Sequence, residues 1–243
     1  MRPVILIPAY KPNEKLIPLV TEISKEFEVI VVNDGSGKGF EPIFDSLQGI
    51  PQVTVLKHAI NLGKGEALKT GFNYFLNHAK DSVGLVTADA DGQHLVKDIR
   101  HLCEQLEMTP HALHLGSRAF DKSVPFRSQF GNILTRHIFK FLLGTQLQDT
   151  QTGLRGIPTS FLPTLLHTKS RGYDFELDML VLARKNRIPI LETPITTVYE
   201  DNNKSSHFNP IVDSVKIYYV FFRFIFFGRR RKVDLLVLFR RCS

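Results

Sequence analysis

Two carboxylates two residues apart close an apolar run in the stretch LVTADADGQH, residues 85–94: Asp89 and Asp91, with Gln93 two positions further on. In an extended backbone, residues at i, i+2 and i+4 face the same side. A strand running over 83–92 therefore predicts that both carboxylates and the Gln93 amide point together. Like charges at that spacing repel, and three partners relieve them: a divalent cation, a basic side chain, or water at a surface turn. Mg2+ suits the first case, because it binds through one or two carboxylates plus phosphate oxygens and keeps several waters. Other chemistry-bearing residues fall in short polar clusters: Pro8, Ala9 and Tyr10 after VILIP, Asp34 in NDGSG, Lys64 in NLGKG, and Arg118 in LGSR. Further along come Arg127 and Ser128 in PFRSQFG, Asp149, Gln151 and Thr152 in QDTQTGLRG, Glu176 and Asp178 in YDFELDML, and Lys204, Ser205 and His207 in NNKSSH.

Each has a plain alternative. Tyr10 offers a flat face for stacking or caps a sheet edge. Asp34 accepts hydrogen bonds from a ligand or serves an Asx turn. Gly63 and Lys64 open a helix whose N-terminus suits a phosphate, or Lys64 is an exposed lysine on a capped helix. Arginine's fork matches phosphate bidentately, yet Arg118 and Arg127 could equally be solvated. Glu176 and Asp178 read as the solvated face of a helix, and a lone histidine such as His207 is most often structural.

The elements that must position these residues alternate. VILIP (4–8), EVIVVND (28–34), VTVLKH (53–58), VGLVTADADG (83–92) and ALHLGSR (112–118) read as strands buried on both faces. Leu16, Val20, Ile23 and Phe27 recur at helical spacing, and helices are predicted over 63–79, 95–106 and 173–186, with an amphipathic stretch at 130–144. Strand–helix alternation implies right-handed crossovers and a mostly parallel α/β sheet flanked by helices. Ligands bind such sheets beyond the C-terminal strand ends, where PAY, NDGSG and DADGQ converge. Residues 188–199 look like an edge strand, because Pro189 and Pro194 suit edges. Residues 148–156 and 200–210 read as polar, irregular segments.

The chain has 243 residues, 43% of them hydrophobic, which suffices for one large domain with a substantial core. Its net charge is +7, and the excess concentrates at the end. Residues 229–243 carry Arg229, Arg230, Arg231, Lys232, Arg240 and Arg241 against one acid, Asp234. Seven aromatics lie between Tyr218 and Phe227, interrupted by Arg223. That composition suits amphipathic helices lying among lipid headgroups. A packed helix or an oligomer interface is the alternative. No uncharged apolar run approaches the roughly 20 residues a spanning helix needs, and no cleavable signal is expected from MRPVILIPAY. Cys103 and Cys242 form no motif, which fits a reducing compartment. The expected division is a catalytic domain over 1–210 and a basic, membrane-associating segment over 211–243. Aromatics without a nucleic-acid motif argue against a nucleic-acid partner.

VILIPAYKPNE, VIVVNDGSG, NLGKGEALKTGF, TADADGQH, LGSR, QDTQTGLRG and YDFELDML stand in an order that resembles the family-2 glycosyltransferases of the GT-A (Rossmann-like) fold, over about residues 3–210. The branch it is most similar to is the polyprenyl-phosphate sugar synthases, the group containing dolichol-phosphate mannose synthase. The resemblance implies an inverting, metal-dependent transfer from a nucleotide-diphosphate sugar, UDP- or GDP-linked, to an undecaprenyl or dolichyl phosphate. It implies Mg2+ or Mn2+ at Asp89, Asp91, Gln93 and His207. Donor contacts would come from Pro8, Ala9, Tyr10, Asp34, Lys64, Asp89, Ala90, Asp91, Gln151 and Lys204. Acceptor-phosphate contacts would come from Arg118, Arg127, Ser128 and Lys204, with Asp91, Arg118 and Arg127 catalytic. Where relatives carry a second acid after the glycine–serine pair, Lys38 stands here. Attachment at the cytoplasmic face of a membrane would be peripheral, with an integral-membrane partner as one means of holding it. Two readings stand beside this one: transfer to a glycan or protein hydroxyl, and a non-catalytic nucleotide-sugar-binding module. A phosphate acceptor is anionic near neutral pH, its second pKa being about 6, and so needs no general base.

Overall fold

Apolar runs long enough for a strand but too short for a helix build the centre of the molecule. β1 (Val4–Ala9), β2 (Val29–Asn33) and β4 (Gly84–Thr87) are almost wholly buried, as expected of parallel strands covered on both faces. A computed structural model describes residues 2–79, 81–118, 147–172 and 174–196. Within it, β3 (Val53–Lys57), β5 (Leu113–Arg118), β6 (Arg155–Pro158) and β7 (Ile190–Ile195) complete a seven-stranded sheet in the order β3-β2-β1-β4-β6-β5-β7. β1 pairs in parallel with β2 and β4, β2 with β3, and β5 with β7.

β6 is the exception. It runs antiparallel to both neighbours, with Thr87 opposite Arg155 and His114 opposite Gly156. The chain therefore leaves the C-terminal edge of the sheet at Arg118 and re-enters it at Arg155. Residues 148–156, expected to be irregular, supply this strand at their end.

Alternation along the strands divides the core. Ile5, Ile7 and Ala9 of β1, Val29 and Val31 of β2 and Val86 of β4 pack against Leu16, Leu19, Val20 and Ile23 of α1 (Leu16–Ile23), Phe44 and Leu47 of α2 (Glu41–Gln48), and Ile99, Leu102 and Leu106 of α4 (Val96–Met108). α3 (Lys64–His78) covers the other face with α5 (Leu162–Leu166) and α6 (Asp174–Lys185). Contact there is close: a Cβ on Gly71 of α3 would stand 2.3 Å from Leu6 Cδ1. Phe72 and Phe175 meet across α3 and α6 with ring centroids 6.0 Å apart. β7 takes the edge of the sheet, where its Pro194 costs no ladder bond.

Among the described residues no helix is long and apolar enough to cross a membrane. The amphipathic stretch 130–144, the loop 200–210 and the basic segment 211–243 lie outside the described residues, as do Arg127, Ser128, Lys204, Ser205 and His207.

Candidate donor site at the C-terminal strand ends

The acidic stretch is a turn, not a strand. β4 stops at Thr87, and residues 90–91 form a turn closed by Gly92 at φ +79°. The Gln93 amide donates to Asp91 Oδ1 at 2.9 Å. Asp89, Asp91 and Gln93 are therefore gathered by turn geometry, and the same-side argument from an extended backbone does not apply. Local polar competition explains the early end: a carboxylate that captures the backbone N–H two residues on favours a turn over a ladder.

Two basic groups meet Asp89. Lys64 Nζ lies 2.6 Å from its Oδ1, and His94 Nε2 lies 3.3 Å from its Oδ2. Burial alone would raise the Asp89 carboxyl, but Lys64 and His94 outweigh it and hold the group well below the usual carboxylate range. Asp91 moves the other way, pushed up by burial and then by the charge on Asp89. Of the three partners that could relieve this pair, a basic side chain thus serves Asp89, and Asp91 is left with the repulsion.

Lys64 is neither exposed nor aimed at an open helix end. Its side chain is 17% exposed and also bonds Glu176 Oε1 at 2.7 Å. Burial would strip its proton, yet the carboxylates of Asp89 and Glu176 more than compensate and keep it charged. The start of α3 is closed by the backbone carbonyl of Arg171, which accepts the Glu66 N–H at 3.2 Å. A Cβ at Gly63 or Gly65 would come within 2.7 Å or 2.8 Å of that oxygen. Glycine is needed here so that two backbones can touch.

Glu176 and Asp178 are buried, contrary to the expected solvated face. Phe175, Leu177, Met179, Leu180 and Val181 are apolar around the whole circumference of α6, and such a helix is enclosed. Asp178 accepts a hydrogen bond from the Ser170 hydroxyl.

Beside the acidic turn, residues 149–153 form a second wall. A Cβ on Gly153 would lie 2.3 Å from Asp89 Oδ2, so this position admits no side chain while Asp89 stands where it does. Thr87 Oγ1 donates to the Gly153 carbonyl at 2.8 Å. Asp149 is fully buried and accepts from Arg118 Nε at 2.6 Å and Nη2 at 3.3 Å, and from the Gln151 amide at 3.0 Å. Arg118 keeps 28% of its side-chain surface. Arg155, 1% exposed, donates to the carbonyls of Thr152, Thr150 and Glu176. Burial depresses its pKa against the opposing pull of Glu176, Asp149 and Asp89.

Asp34 joins the other strand ends. Its N–H donates to the Ala9 carbonyl, and its carboxylate accepts from His58 Nδ1 (2.7 Å), Leu62 N–H (2.9 Å) and Gly63 N–H (2.9 Å). Because a carboxylate only accepts, His58 carries a proton on Nδ1; its Nε2 meets Thr70 Oγ1 at 2.9 Å. The turn role belongs to Asn33, whose Oδ1 accepts the Ser36 amide. Ser36 Oγ in turn accepts the Lys11 amide at 2.9 Å, tying the strand-end segment of Pro8, Ala9 and Tyr10 to the one carrying Asp34. Lys11 Nζ lies 5.3 Å from the centre of the Tyr10 ring. Ala90 packs partly against the core. His58, His94, Gly153 and Arg155 are additions that sequence reading did not single out.

The side chains fit a divalent cation shared with a ligand. Asp91 supplies a hard oxygen whose ionisation is opposed by its neighbour, which is the condition a cation relieves. Among the described residues no three His, Cys, Asp or Glu side chains gather to hold an ion alone. Oxygens of a bound phosphate would have to complete such a shell, as Mg2+ chemistry favours.

A mostly parallel α/β sheet with an acidic turn beyond β4 and polar side chains gathered along its C-terminal edge has the architecture of the GT-A glycosyltransferases. Glucosyl-3-phosphoglycerate synthase from Mycobacterium tuberculosis, solved with Mn2+, UDP and glucosyl-3-phosphoglycerate, shares this fold with a TM-score of 0.65 at 16% identity, over 90% of this chain and 78% of that one. The chain belongs to the family described as glycosyl transferase family 2, whose model matches residues 4–163, and it is a glycosyltransferase. Its relatives include the UDP-N-acetylglucosamine–dolichyl-phosphate N-acetylglucosaminyltransferase of Methanococcus voltae, 28% identical over 88% of this chain and 92% of the relative. The undecaprenyl-phosphate mannosyltransferase of Micrococcus luteus is 30% identical over 87% of this chain and 90% of the relative.

Proposed function

We propose that the protein moves a sugar, with inversion, from a UDP- or GDP-linked donor to an undecaprenyl or dolichyl phosphate, working peripherally at the cytoplasmic face of a membrane. The observation that carries this reading is the commitment, among the described residues, of the carboxylates near the acidic turn. Outside the acidic turn, Asp149 is held bidentately by Arg118, Glu176 by Lys64, and Asp178 by Ser170. A hydroxyl acceptor needs a base to take its proton, and each of these acids is already engaged. A phosphate monoester is anionic near neutral pH and has to be aligned and neutralised. The names of the relatives support the same acceptor class.

Bound Mg2+ or Mn2+, held by Asp91 beside Asp89 and Gln93, would stabilise the charge that gathers on the departing diphosphate. Pro8, Ala9, Tyr10 and Asp34 line the nucleoside end, and Ala90 and Gln151 flank the sugar. Arg118 turns its exposed part toward the acceptor phosphate while Asp149 holds the other side of its fork. The family resemblance offers Arg127, Ser128 and Lys204, which lie outside the described residues, as further donors to that phosphate.

The test is a panel of radiolabelled UDP- and GDP-sugars offered with Mg2+ or Mn2+, and with either a polyprenyl phosphate or the corresponding polyprenol. Label should enter the organic phase only with the phosphate, and a chelator should abolish it. Equal or preferred labelling of the polyprenol, or of a glycan, would overturn the acceptor assignment.

A further inference from the structure

Glu176 stands at the meeting point of three elements, and none of the donor or acceptor contacts above uses it. Its carboxylate reaches from α6 to within 2.7 Å of the Lys64 ammonium, which itself lies 2.6 Å from Asp89 Oδ1. We infer that Glu176 is a positioning residue for the donor turn, acting through Lys64 to fix where the Asp89 carboxylate stands. This rests on the reading of that turn as the nucleotide-sugar site.

A lysine ammonium on its flexible stem, bonded to Asp89 alone, would follow the carboxylate wherever the turn moved. Sharing it with a second carboxylate on a packed helix removes that freedom. Glu176 is itself well anchored: it is 7% exposed, and its carbonyl accepts from Arg155 Nη1 at 2.6 Å. The same guanidinium bonds the carbonyls of Thr150 and Thr152, next to the Gly153 that abuts Asp89. Two walls of the Asp89 carboxylate, the ammonium and the glycine backbone, are thus referred to one buried arginine. His94 closes a third side at 3.3 Å. An acceptor deprotonated by Glu176 would have to compete with an ammonium already at hydrogen-bonding distance, so the geometry gives this acid a placing role rather than a basic one.

The experiment reads donor binding apart from turnover. Calorimetry with UDP- and GDP-sugars and Mn2+, without acceptor, gives the affinity; initial rates at saturating donor give kcat; thermal melts check the fold. Glu176→Gln should weaken donor binding about tenfold, with kcat at saturating donor within about twofold of wild type, and Lys64→Met should weaken donor binding at least as much. Lys64→Met/Glu176→Leu, which replaces both charges by apolar side chains of similar size, should weaken it no further than Lys64→Met alone. Unchanged donor affinity in the folded variants, whatever their Tm, overturns the inference. So does an additive loss in the double variant, or a collapse of kcat at unchanged affinity, which would make Glu176 a base. A wild-type chain that binds none of these donors overturns the functional reading and this inference with it; a wild type that binds beside variants that bind equally well overturns the inference alone.

Discussion

Gly153→Ala isolates the contact between the two walls of the site. The added methyl would lie 2.3 Å from Asp89 Oδ2 and 2.5 Å from Oδ1, where separations under 3.0 Å are essentially never found. Asp89 must therefore withdraw by roughly 0.7 Å, an overpacking strain applied at one short side chain. The Lys64–Asp89 bond of 2.6 Å then lengthens to the margin of hydrogen bonding. A hydrogen bond to a charged group is worth about 1.5–3 kcal/mol. Losing about half of that would weaken nucleotide-sugar binding roughly four- to tenfold, since about 1.4 kcal/mol is one decade. Global stability should change by less than about 1 kcal/mol. The displaced atoms end a partly exposed side chain, and alanine restricts the unfolded chain by about 0.4–1 kcal/mol relative to glycine. Calorimetry with donor and Mn2+ measures the first effect and urea unfolding the second. Wild-type donor affinity in Gly153→Ala would refute the claim that this glycine sets the place of Asp89. A stability loss above about 3 kcal/mol would show that the backbone, not the carboxylate, yields.

Asp149→Ala removes both bonds to the Arg118 guanidinium and the acceptor of the Gln151 amide, so urea unfolding should show a loss of about 2–4 kcal/mol; a loss under about 0.5 kcal/mol would mean the pair does not hold the loop. The two turn aspartates predict opposite signs. Asp89 has its pKa held down, so its stabilisation is present above the ordinary carboxylate pKa near 4 and fades as pH falls below it; Asp91 has its pKa pushed up, so its ionised form is disfavoured by the fold at neutral pH and the penalty disappears on protonation. Asp89→Asn should therefore destabilise the metal-free protein at pH 7 and Asp91→Asn should stabilise it, while both weaken metal-dependent donor binding; unfolding shifts of the same sign would contradict the assignment. Deleting residues 229–243 should leave donor binding intact and weaken co-sedimentation with anionic vesicles in a salt-dependent way, at about 1 kcal/mol per basic residue near the surface; equal binding of full-length and truncated chains to anionic and neutral vesicles would remove the tail as an anchor.

The strands built of continuous Val, Ile and Leu were legible in the sequence because burial on both faces demands that composition, and the polar clusters after them marked the crevice. β7 was legible from its prolines. β6 was not: of Arg155, Gly156, Ile157 and Pro158 only Ile157 is a usual strand residue, and what makes Arg155 tolerable inside is three carbonyls brought by chain folding. The end of β4 was placed too late because alternation of Asp89 and Asp91 mimics a strand, while the Asx turn at Gln93 is decided locally. Glu176 and Asp178 were misread because charge outweighed the apolar residues around them. Their partners, Lys64 and Ser170, reach them only through tertiary packing, and no local spacing encodes those pairs. The family order of the motifs supplied the site residues that composition alone left open.

The antiparallel insertion of β6 has an evolutionary consequence. Because β5 ends and β6 begins at the same edge of the sheet, Arg118 and Arg155, the two ends of the connection between them, both stand at that edge. A connection joined at those two points can change length without shifting the register of any strand, provided Arg118 and Arg155 keep their places. Differences in length among homologues should accordingly gather between Arg118 and Asp149 and stop at Asp149, where the chain rejoins the wall of the site.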